Sequence, residues 1–261
     1  LEEDLGVALF TRSAKGMQLT REGAALLEHA EAILTQAEEL KRAARALSED
    51  VAGELRLALH TDPEFLRVLP LLKLLRTTHP NLVVHLRQSM SRVIMDDVRD
   101  ERLDGGFAYS TTPPEGDLSG LRVAATELYV VGPAAWRERL AGKGWDELAE
   151  EPWVWFSDSS PYNPLLARCL GPRARTVRKA AVTDYEETLR TLVKNGTGLS
   201  LMRQDEALRC ETAGEVCVWG GSGQLLDIYF LHRRDREPDP AIRAVLAALR
   251  GIWGLTGNGC A

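Results

Sequence analysis

The chain of 261 residues is 44% hydrophobic and 27% charged, a composition typical of a globular protein with one large domain or two modest ones, which excludes disordered and low-complexity chains. Its apolar runs are shorter than the roughly 20 residues that a membrane span needs. With 32 Lys and Arg against 38 Asp and Glu, the net charge of −6 argues against a chain wholly devoted to binding nucleic acid, although it leaves room for a small DNA-binding end.

The first 19 residues predict the end of a small folded unit. Residues 1–5 have the pattern of a helix end, with Gly6 as its stop. Residues 11–19 then predict a short β-hairpin, or wing, whose turn holds Lys15 and Gly16. The acidic start without a methionine is unlike a secretory signal, so we expect a fragment or a processed product.

A long helix is predicted from Thr20, a good N-cap, to Leu47, because no proline interrupts this stretch. Its apolar residues recur at alternating spacings of four and three, which is the a/d pattern of a coiled coil. We expect this seam to dimerise the chain, and its members are Leu26, Ala30, Ile33, Ala37, Leu40, Ala44 and Leu47. The alternative is an amphipathic helix that packs on its own domain.

Beyond a linker at residues 48–53, strands and helices alternate in the order that predicts parallel α/β structure. The elements of this first α/β unit are expected at strand 54–59, helix 64–78, strand 82–87, a helix to residue 102 and strand 105–109. Asp62 is expected to cap the first helix. The residues expected to face inward from that helix are Leu66, Leu69, and Leu72 or Lys73.

The rest of the chain predicts a second, similar unit. Its elements are expected at strand 128–131, strand 152–156, helix 162–170, strand 177–182, a helix ending at Asn195 and Gly196, and strand 198–202. Thr183 and Glu186 have the spacing of a capping box for the helix that follows residue 182. A strand at 225–232 would return to the first unit, and a final helix at 240–252 would bury Ile242, Val245, Leu246 and Leu249.

The sequence lacks the motifs of common catalytic and metal sites. It contains no Gly-x-Ser-x-Gly elbow, no His-Glu-x-x-His motif and no Walker loop, and its five histidines are scattered. The pair of glycines at 196 and 198 follows a predicted helix rather than a strand, which favours a tight turn over a dinucleotide loop. The four cysteines form no Cys-x-x-Cys pair, so we expect reduced thiols in a cytoplasm and neither a metal nor a cofactor.

Small polar residues instead follow the strands at four predicted strand-to-helix loops. These loops are residues 60–62, 89–91, 157–160 and 183–185. In parallel sheets such loops lie at the edge where ligands bind, and free helix amides together with hydroxyls suit a polar ligand. For any single residue a helix cap is the better interpretation. For all four loops together we expect a ligand cleft between two lobes.

The opening LEEDLGVALFTRSAKGMQLTREGAALLEHAEAIL resembles the end of the recognition helix, the wing and the linker helix of LysR-type transcriptional regulators. The matching positions are Leu1, Glu2, Leu5, Gly6, Leu9, Phe10, Arg12, Leu19, Thr20 and Gly23. Later stretches resemble the family's effector-binding domain and occur in the right order; they are GELRLAL, Leu69-Pro70, HPNL at 79–82, LDGGF at 103–107 and LVKNGTGLSLM at 192–202. The resemblance therefore covers essentially the whole chain.

This resemblance implies an α/β fold class, in which a partial winged-helix remnant and a long linker helix precede a two-lobed effector domain like the type 2 periplasmic binding proteins. The implied domains are 1–19 for the end of the winged helix-turn-helix, 20–52 for the dimerising linker helix and hinge, and 53–261 for the effector domain, with lobe I at 53–131 plus 229–261 and lobe II at 132–228. Most of the winged helix-turn-helix, including the residues that read base edges, is expected to be missing through truncation.

The function implied by the resemblance is that of a cytoplasmic bacterial transcription regulator, not an enzyme, that binds promoter DNA as a homodimer or homotetramer without contact to a membrane. The wing residues Arg12 and Lys15 are expected to bind DNA. A small-molecule effector would bind in the cleft between the lobes. The alternatives are a two-lobed solute-binding protein, which would not carry the heptad helix, and an enzyme on the same fold, which would need an acid–base pair in the cleft.

The expected effector contacts combine the polar loops with two departures from the family's pattern. Met202-Arg203 stands where Leu-Pro is common and would bring a cation to the cleft rim, and Asp62 stands where a small hydroxyl residue is common. The full set of expected contacts is His60, Thr61, Asp62, Ser89, Met90, Ser91, Tyr109, Ser157, Ser159, Thr183, Met202 and Arg203.

The charged residues around this cleft point in two directions. The basic residues His60, Arg87 and Arg203 favour a carboxylate ligand. The acidic residues Asp62, Asp158 and Asp184 argue against a simple anion. The sequence therefore leaves the identity of the effector open, together with the target promoter and the sign of regulation.

Overall fold

The computed structural model describes residues 1–13, 16–46, 51–221 and 223–255. The chain forms two compact units, Leu1–Val51 and Ala52–Ala261. Three residues named in the sequence predictions, Lys15, Leu47 and Cys260, lie outside the described residues.

The first unit begins with a helix and a hairpin, as the sequence predicts. Its first elements are α1 at Glu2–Leu5, β1 at Phe10–Ser13 and β2 at Gly16–Leu19, and the two strands pair antiparallel. Gly6 ends α1 in the left-handed conformation, with φ 68°. The Glu2 carboxylate accepts hydrogen bonds from the Leu9 and Phe10 amides at 2.6 and 3.0 Å, so α1 is fixed to the start of the hairpin.

Helix α2 follows at Arg21–Ala46. The Thr20 hydroxyl oxygen accepts a hydrogen bond from the Gly23 amide at 2.8 Å, which confirms the prediction that Thr20 is the N-cap. Gly23 lets the helix come close to the hairpin, because a Cβ at this position would lie 2.1 Å from the Leu9 carbonyl oxygen.

The apolar face of α2 is wider than the predicted seam. Ile33 and Leu40 of the seam are 65% and 73% exposed, but Leu34, which the seam does not contain, is 67% exposed as well. Leu27 is also exposed and lies one helical repeat of seven before Leu34. A stripe of this width suits contact with more than one helix better than a narrow two-helix seam.

The remaining described seam positions are small or partly covered. Leu26 is half-buried, whereas Ala30 and Ala37 are exposed. The seam as a dimer contact stays a prediction.

The second unit contains two sheets and eight helices within its described residues. Its strands are β3 (Gly53–Leu59), β4 (Leu82–Gln88), β5 (Gly105–Ser110), β6 (Leu118–Pro133), β7 (Pro152–Trp155), β8 (Arg178–Val182), β9 (Ser200–Arg203), β10 (Val216–Val218) and β11 (Gln224–Arg233). Its helices are α3 (Val68–Thr78), α4 (Ser91–Arg99), α5 (Arg137–Leu140), α6 (Trp145–Leu148), α7 (Tyr162–Leu170), α8 (Glu186–Lys194), α9 (Gln204–Thr212) and α10 (Pro240–Trp253).

Two long strands connect two α/β lobes. The main sheet has the order β10-β6-β11-β5-β3-β4, with β9 also paired to β6. Strand β3 is parallel to β4 and β5, whereas β11 is antiparallel to β5 and β6. Strands β7 and β8 form a separate parallel pair. One lobe therefore surrounds β3–β5, the other surrounds β7–β10, and β6 and β11 run through both.

The core of the first lobe lies between α4 and the sheet. Ile94 and Val98 of α4 are buried against Ala58 and Ala108. Gly106 permits this close packing, because a Cβ there would lie 2.6 Å from the Ile94 side chain. The apolar face of the amphipathic helix is thus buried against the apolar strands, as the sequence pattern predicts.

Helix α3 begins at Val68 rather than at residue 64. The Asp62 carboxylate accepts hydrogen bonds from the Glu64 and Phe65 amides at 2.6 and 3.3 Å, so it caps a turn that precedes the helix. Arg67 ends this turn in the left-handed conformation, with φ 53°. The prediction that Asp62 caps the helix itself is therefore wrong.

The later start of α3 changes the residues that face the core. Val68, Leu71 and Leu75 are buried, whereas Leu69, expected to face inward, is 71% exposed. Lys73 is exposed too, and Leu72 is half-buried. Leu66 is buried as predicted, but from the turn rather than the helix.

Several other elements differ from the prediction in length. The strand expected at 128–131 is part of the 16-residue β6, and the helix expected to reach residue 102 ends at Arg99. The elements α5, α6, α9 and β10 are not predicted from the sequence. Three of them, α5, α6 and β10, have three or four residues, too few for an apolar period to appear. Helix α9 has nine residues, but most of them are polar, so its apolar period is weak. Helix α10 buries Ile242, Val245, Leu246 and Leu249 as predicted.

Among the described residues, no helix combines the length and the apolarity needed to cross a membrane. The same residues hold no cluster of three His, Cys, Asp or Glu side chains placed for a metal ion. Cys169, Cys210 and Cys217 are free thiols. Burial raises the pKa of the Cys210 and Cys217 thiols, which makes them weak nucleophiles at neutral pH.

Candidate ligand-binding site

Both lobes contribute side chains to one polar cluster near the ends of their strands. Thr61 follows β3 of the first lobe, Tyr162 begins α7, Glu186 begins α8, and Arg203 ends β9. We call these four residues the inter-lobe cluster. They meet because strand-to-helix loops of parallel units lie at a common edge, even when the loops are far apart in sequence.

Thr61 lies at the centre of the inter-lobe cluster and is only 1% exposed. Its hydroxyl donates a hydrogen bond of 2.7 Å to Glu186 Oε2 and accepts one from Arg203 Nη1. These contacts span 125 and 142 residues of sequence. A single hydroxyl therefore joins a residue of the first lobe to a carboxylate and a guanidinium of the second.

Arg203 provides the positive charge of the cluster. Its Nη1 lies 3.5 Å from Glu186 Oε2, its Nε and Nη2 donate to Asp205 at 3.0 and 3.1 Å, and its guanidinium stacks 4.1 Å from the Phe65 ring centre. Burial by itself would lower the pKa of Arg203, but the hydrogen bonds to Asp205 and the charges of Glu186 and Asp205 outweigh burial and raise it. Arg203 is therefore a permanent cation.

Glu186 provides the negative charge, but its environment only partly compensates for burial. Its Oε1 accepts a hydrogen bond of 3.1 Å from the Tyr162 hydroxyl. Burial raises the pKa of Glu186, and the charge of Arg203 and the hydrogen bond from Thr61 offset only part of this effect. Glu186 therefore takes up a proton more readily than an exposed glutamate does.

Aromatic rings form the inner side of the cluster. The Tyr109 ring lies 4.9 Å from His60, edge to face, and 5.9 Å from Tyr162, which itself lies 4.6 Å from Phe156. Burial raises the pKa of both tyrosines, so their hydroxyls keep their protons at neutral pH. The Tyr109 hydroxyl is buried close to Thr61 without a hydrogen-bond partner among the described residues.

His60 and Ser91 form the wall that the first lobe contributes. His60 Nδ1 accepts a hydrogen bond from the Ser91 amide at 2.9 Å, and the Ser91 hydroxyl oxygen accepts one from the Tyr109 amide at 2.9 Å. Part of the His60 surface stays accessible, yet desolvation of the ring lowers its pKa to about 4, and the charge of Asp184 compensates only in part. His60 is therefore neutral at pH 7, with its proton on Nε2.

The second lobe contributes a wall of serines. The Ser157 amide donates to Asp184 Oδ1 at 2.9 Å, and the hydroxyl oxygens of Ser157 and Ser159 lie 3.1 Å apart. The field of Asp184 reaches His60 across the cleft. Asp184, which accepts the bond from the Ser157 amide, is therefore a residue through which this wall acts on the first lobe.

The capping box predicted for Thr183 and Glu186 is wrong. The N-cap of α8 is Tyr185, and no side chain caps it. Within the described part of the chain, the hydrogen bond that the Thr183 hydroxyl oxygen accepts is one of 3.3 Å from the Tyr185 amide. Because α8 begins at Glu186, the carboxylate of this residue is not held by its own helix and reaches the inter-lobe cluster instead.

A cavity of about 580 Å³ opens beside the inter-lobe cluster. Glu186 and Arg203 form part of its lining, together with Asp62 from the first lobe. Arg190 and Glu206 also line it and pair with each other at 2.9 Å. This volume is within the range of small-ligand pockets, and the lining suits a charged or strongly polar molecule.

The structure places five expected contacts within or against the inter-lobe cluster: His60, Thr61, Ser91, Tyr109 and Arg203. Of the others, Asp62 lines the cavity, Met202 is buried under Arg203, and Ser89 and Met90 precede α4. The described lining of the 580 Å³ cavity does not include Ser157, Ser159 or Thr183. All twelve stay predictions as effector contacts.

Glu186 and Tyr162 are site residues that the sequence does not predict. The threonine-to-glutamate spacing assigns Glu186 to a helix cap, and Tyr162 reads as an ordinary aromatic residue of a helix. One signal is available in the sequence, since a cation predicted at the cleft needs a carboxylate partner once it is buried. Nothing in the spacing says that Glu186 is that partner.

The sequence pattern of the LysR substrate binding domain matches residues 48–253. The chain belongs to the LysR family. It is a LysR-type transcriptional regulator with an effector-binding domain, and the resemblance seen in the sequence is confirmed. The family match also argues against the alternative that the chain is a solute-binding protein.

Two regulators show how far the likeness in sequence extends. The HTH-type transcriptional regulator CzcR of Bacillus cereus is 26% identical over 256 residues, which are 95% of this chain and 84% of CzcR. The HTH-type transcriptional regulator TfdT of Cupriavidus pinatubonensis is 26% identical over 141 residues, 54% of this chain and 61% of TfdT, so this match spans less than two thirds of TfdT.

The structural likeness concerns the fold. The effector binding domain of QuiR in complex with shikimate matches 80% of this LysR-type chain and 100% of its own length, with a TM-score of 0.64 and 18% identity. The predicted fold class, a two-lobed α/β effector domain, is confirmed by this match and by the sheet topology.

Proposed function

We propose that this LysR-type chain senses a small molecule in the cleft between its two lobes and transmits the signal to promoter DNA. The observation that carries the proposal is the hydrogen-bonded group of Thr61, Glu186 and Arg203, which crosses between the lobes at the edge of a 580 Å³ cavity. A ligand that enters this cavity meets groups of both lobes at once.

Such a ligand biases the lobe arrangement for an energetic reason. A ligand shifts a conformational equilibrium only through contacts that differ between the states. A molecule that replaces or strengthens the bonds from Thr61 to Glu186 and Arg203 changes the contact between the lobes directly. The coupling between effector and DNA is then reciprocal, so DNA changes effector affinity by the same factor.

The DNA-binding and oligomeric parts of the proposal rest on the first unit. Arg12 is exposed on β1 of the hairpin, where its guanidinium is available to a phosphate backbone; Lys15, its expected companion, lies outside the described residues. The exposed apolar stripe of α2 supports a homodimer or homotetramer. The boundaries 1–19, 20–52 and 53–261, the division into lobes and the cytoplasmic location are parts of the same proposal.

The cleft is tested by thermal shift with a panel of amino acids, dicarboxylates, aromatic acids and amines. We expect at least one compound to raise the Tm of the wild type and of Thr77→Val, a control on the exposed side of α3, but not that of Thr61→Val. A ligand at a hundred times its Kd contributes about 2.7 kcal/mol. Equal shifts in Thr61→Val and Thr77→Val for every active compound would place sensing elsewhere.

The oligomer is tested by sedimentation of Leu40→Asp beside Ala32→Asp, which adds the same charge away from the apolar stripe. Burial of an exposed leucine contributes roughly 1.5–3 kcal/mol, so Leu40→Asp should dissociate at a concentration at which Ala32→Asp stays associated. Leu34→Asp separates a narrow seam from a broad one, because only a broad interface contains Leu34. The same association constant for Leu40→Asp and Ala32→Asp would exclude α2 as the contact.

A further inference from the structure

Three donors from two lobes converge on one carboxylate of this chain. Glu186 accepts from the Thr61 hydroxyl at 2.7 Å and from the Tyr162 hydroxyl at 3.1 Å, and it lies 3.5 Å from Arg203 Nη1. Hydroxyls and a guanidinium around two oxygens are the donor set that proteins use to bind carboxylates. The carboxylate they hold here belongs to the protein itself.

We propose that Thr61, Tyr162 and Arg203 form a carboxylate receptor which Glu186 fills in the absence of effector, and that the effector is a carboxylate that takes the place of Glu186. This proposal rests on the proposed function, since it names the chemical class that the cleft senses. It assigns Glu186 as the residue against which an effector competes.

The position of Glu186 makes it exchangeable. It is the first residue of α8 and it lines the 580 Å³ cavity, so its side chain can swing out without unfolding the helix. The receptor would stay intact when it leaves, because Arg203 is also held by Asp205 through Nε and Nη2. The buried Tyr109 hydroxyl beside Thr61 adds a donor that has no partner among the described residues.

Burial opposes the charged form of Glu186. It raises the pKa of this carboxyl, so Glu186 loses its charge at a higher pH than an exposed glutamate does. Loss of the charge weakens the attraction between Glu186 and Arg203, which is the contact that an external carboxylate has to replace.

A cationic effector fits this geometry less well. Both Glu186 oxygens already accept hydrogen bonds, and a ligand ammonium beside them would lie within a few ångströms of the Arg203 guanidinium. Arg190 and Arg209 line the same cavity. Of the other acids in this lining, Glu206 is paired with Arg190, Asp62 caps its turn, and Glu187 is exposed.

The test is chemical rescue of Glu186→Ala by acetate, whose two carbons correspond to the atoms that the substitution removes. Melting temperatures are measured at pH 7 in sodium acetate and in sodium chloride of equal ionic strength. At ten times the Kd of acetate we expect about a tenfold gain in the folded-to-unfolded ratio, a rise of about 3 °C, for Glu186→Ala. Wild type, in which Glu186 fills the receptor, and Glu187→Ala, which loses an exposed carboxylate of the same cavity lining, should show no such difference.

The second arm uses methylammonium chloride and the pair Glu186→Gln and Glu187→Gln. If Glu186→Ala does not fold, acetate should stabilise Glu186→Gln more than Glu187→Gln, because only the former frees the charge of Arg203. Equal acetate effects in the Glu186 and Glu187 variants would overturn the proposal. So would methylammonium binding to the wild type that is lost in Glu186→Gln. Neither outcome would contradict sensing in the cleft, because the thermal-shift panel with Thr61→Val tests that proposal separately.

Discussion

Two carboxylates of the second unit, the buried Asp104 and the half-buried Glu186, both face an arginine, yet their environments differ. Asp104 accepts hydrogen bonds from the Arg56 amide at 2.6 Å and from Arg56 Nε at 3.3 Å, and it pairs with Arg236, which Asp239 holds from its other side. Burial alone would raise the pKa of Asp104, but the bonds from Arg56 and the charge of Arg236 outweigh it and lower the pKa. At Glu186 burial prevails and the pKa is raised.

The difference lies in the number of charged donors and in access to solvent-filled space. Asp104 has two guanidiniums and a backbone amide, and it joins Arg56 of β3 to Arg236, which precedes α10. Glu186 has two hydroxyls and shares its one arginine with Asp205. A carboxylate held by several charges is part of the structure, whereas one held by hydroxyls beside a cavity can be exchanged.

The largest expected effect is the loss of the Asp104 cluster. Asp104→Ala removes one of the two carboxylates that pair with the buried Arg236 and the only one of them that pairs with Arg56, and breaking a buried ion pair costs about 3–5 kcal/mol. Urea unfolding measures this loss. The control is Asp117→Ala, which breaks the exposed pair with Arg99 and should cost about 1 kcal/mol or less. Similar costs for both variants would contradict the comparison.

The sign of the pH dependence agrees with this assignment. Because the folded pKa of Asp104 lies below its unfolded value, its contribution is present above about pH 4 and is lost as the pH falls through the folded pKa. The cluster should therefore not respond between pH 5 and pH 8.

The cleft, by contrast, should respond in that range through His60. Its folded pKa of about 4 lies below the usual value of 6.5, so the unfolded chain binds a proton first and stability falls as the pH drops from 6.5 towards 4. The difference amounts to at most about 3 kcal/mol. Glu186, with a raised pKa, acts in the opposite direction, so the test is the difference between wild type and His60→Gln.

The measurement is urea unfolding of wild type and His60→Gln at pH 7 and pH 5. His60→Gln should lose less stability than the wild type over this step. The exposed His85 on β4 offers a control, since His85→Gln should behave as the wild type does. Parallel losses in wild type and His60→Gln would show that the imidazole is protonated without cost in the fold.

The smallest expected effect concerns Thr183. If Glu186 belongs to the inter-lobe cluster, the Thr183 hydroxyl stabilises only a weak turn, and Thr183→Ala should cost a few tenths of a kcal/mol. Thr20→Ala removes a real N-cap and should cost about 1 kcal/mol. Thermal unfolding of both variants separates the two cases. If Thr183→Ala lowered the free energy of unfolding as much as Thr20→Ala does, Thr183 and Glu186 would form a capping box after all.

Local patterns in the sequence were sufficient for the elements that depend on neighbouring residues. The hairpin, the N-cap at Thr20, the long α2 and the buried face of α10 are all readable from spacings of two to four residues. The alternation of strands and helices predicted two similar α/β units, and the family resemblance assigned them to a two-lobed effector domain. The inward face of α3 was not readable, because a turn with a left-handed Arg67 delays the helix and changes its phase.

The sequence by itself determined which residues stand at the strand ends, and therefore that His60, Thr61 and Arg203 would lie near a cleft. Only the tertiary structure decided that Glu186 and Tyr162 complete the cluster. Thr61 and Arg203 are 142 residues apart. A local spacing in the sequence cannot predict which carboxylate pairs with a buried guanidinium. Periodicity fixes the face on which a side chain lies, whereas the pairing of buried charges depends on how two lobes pack against each other.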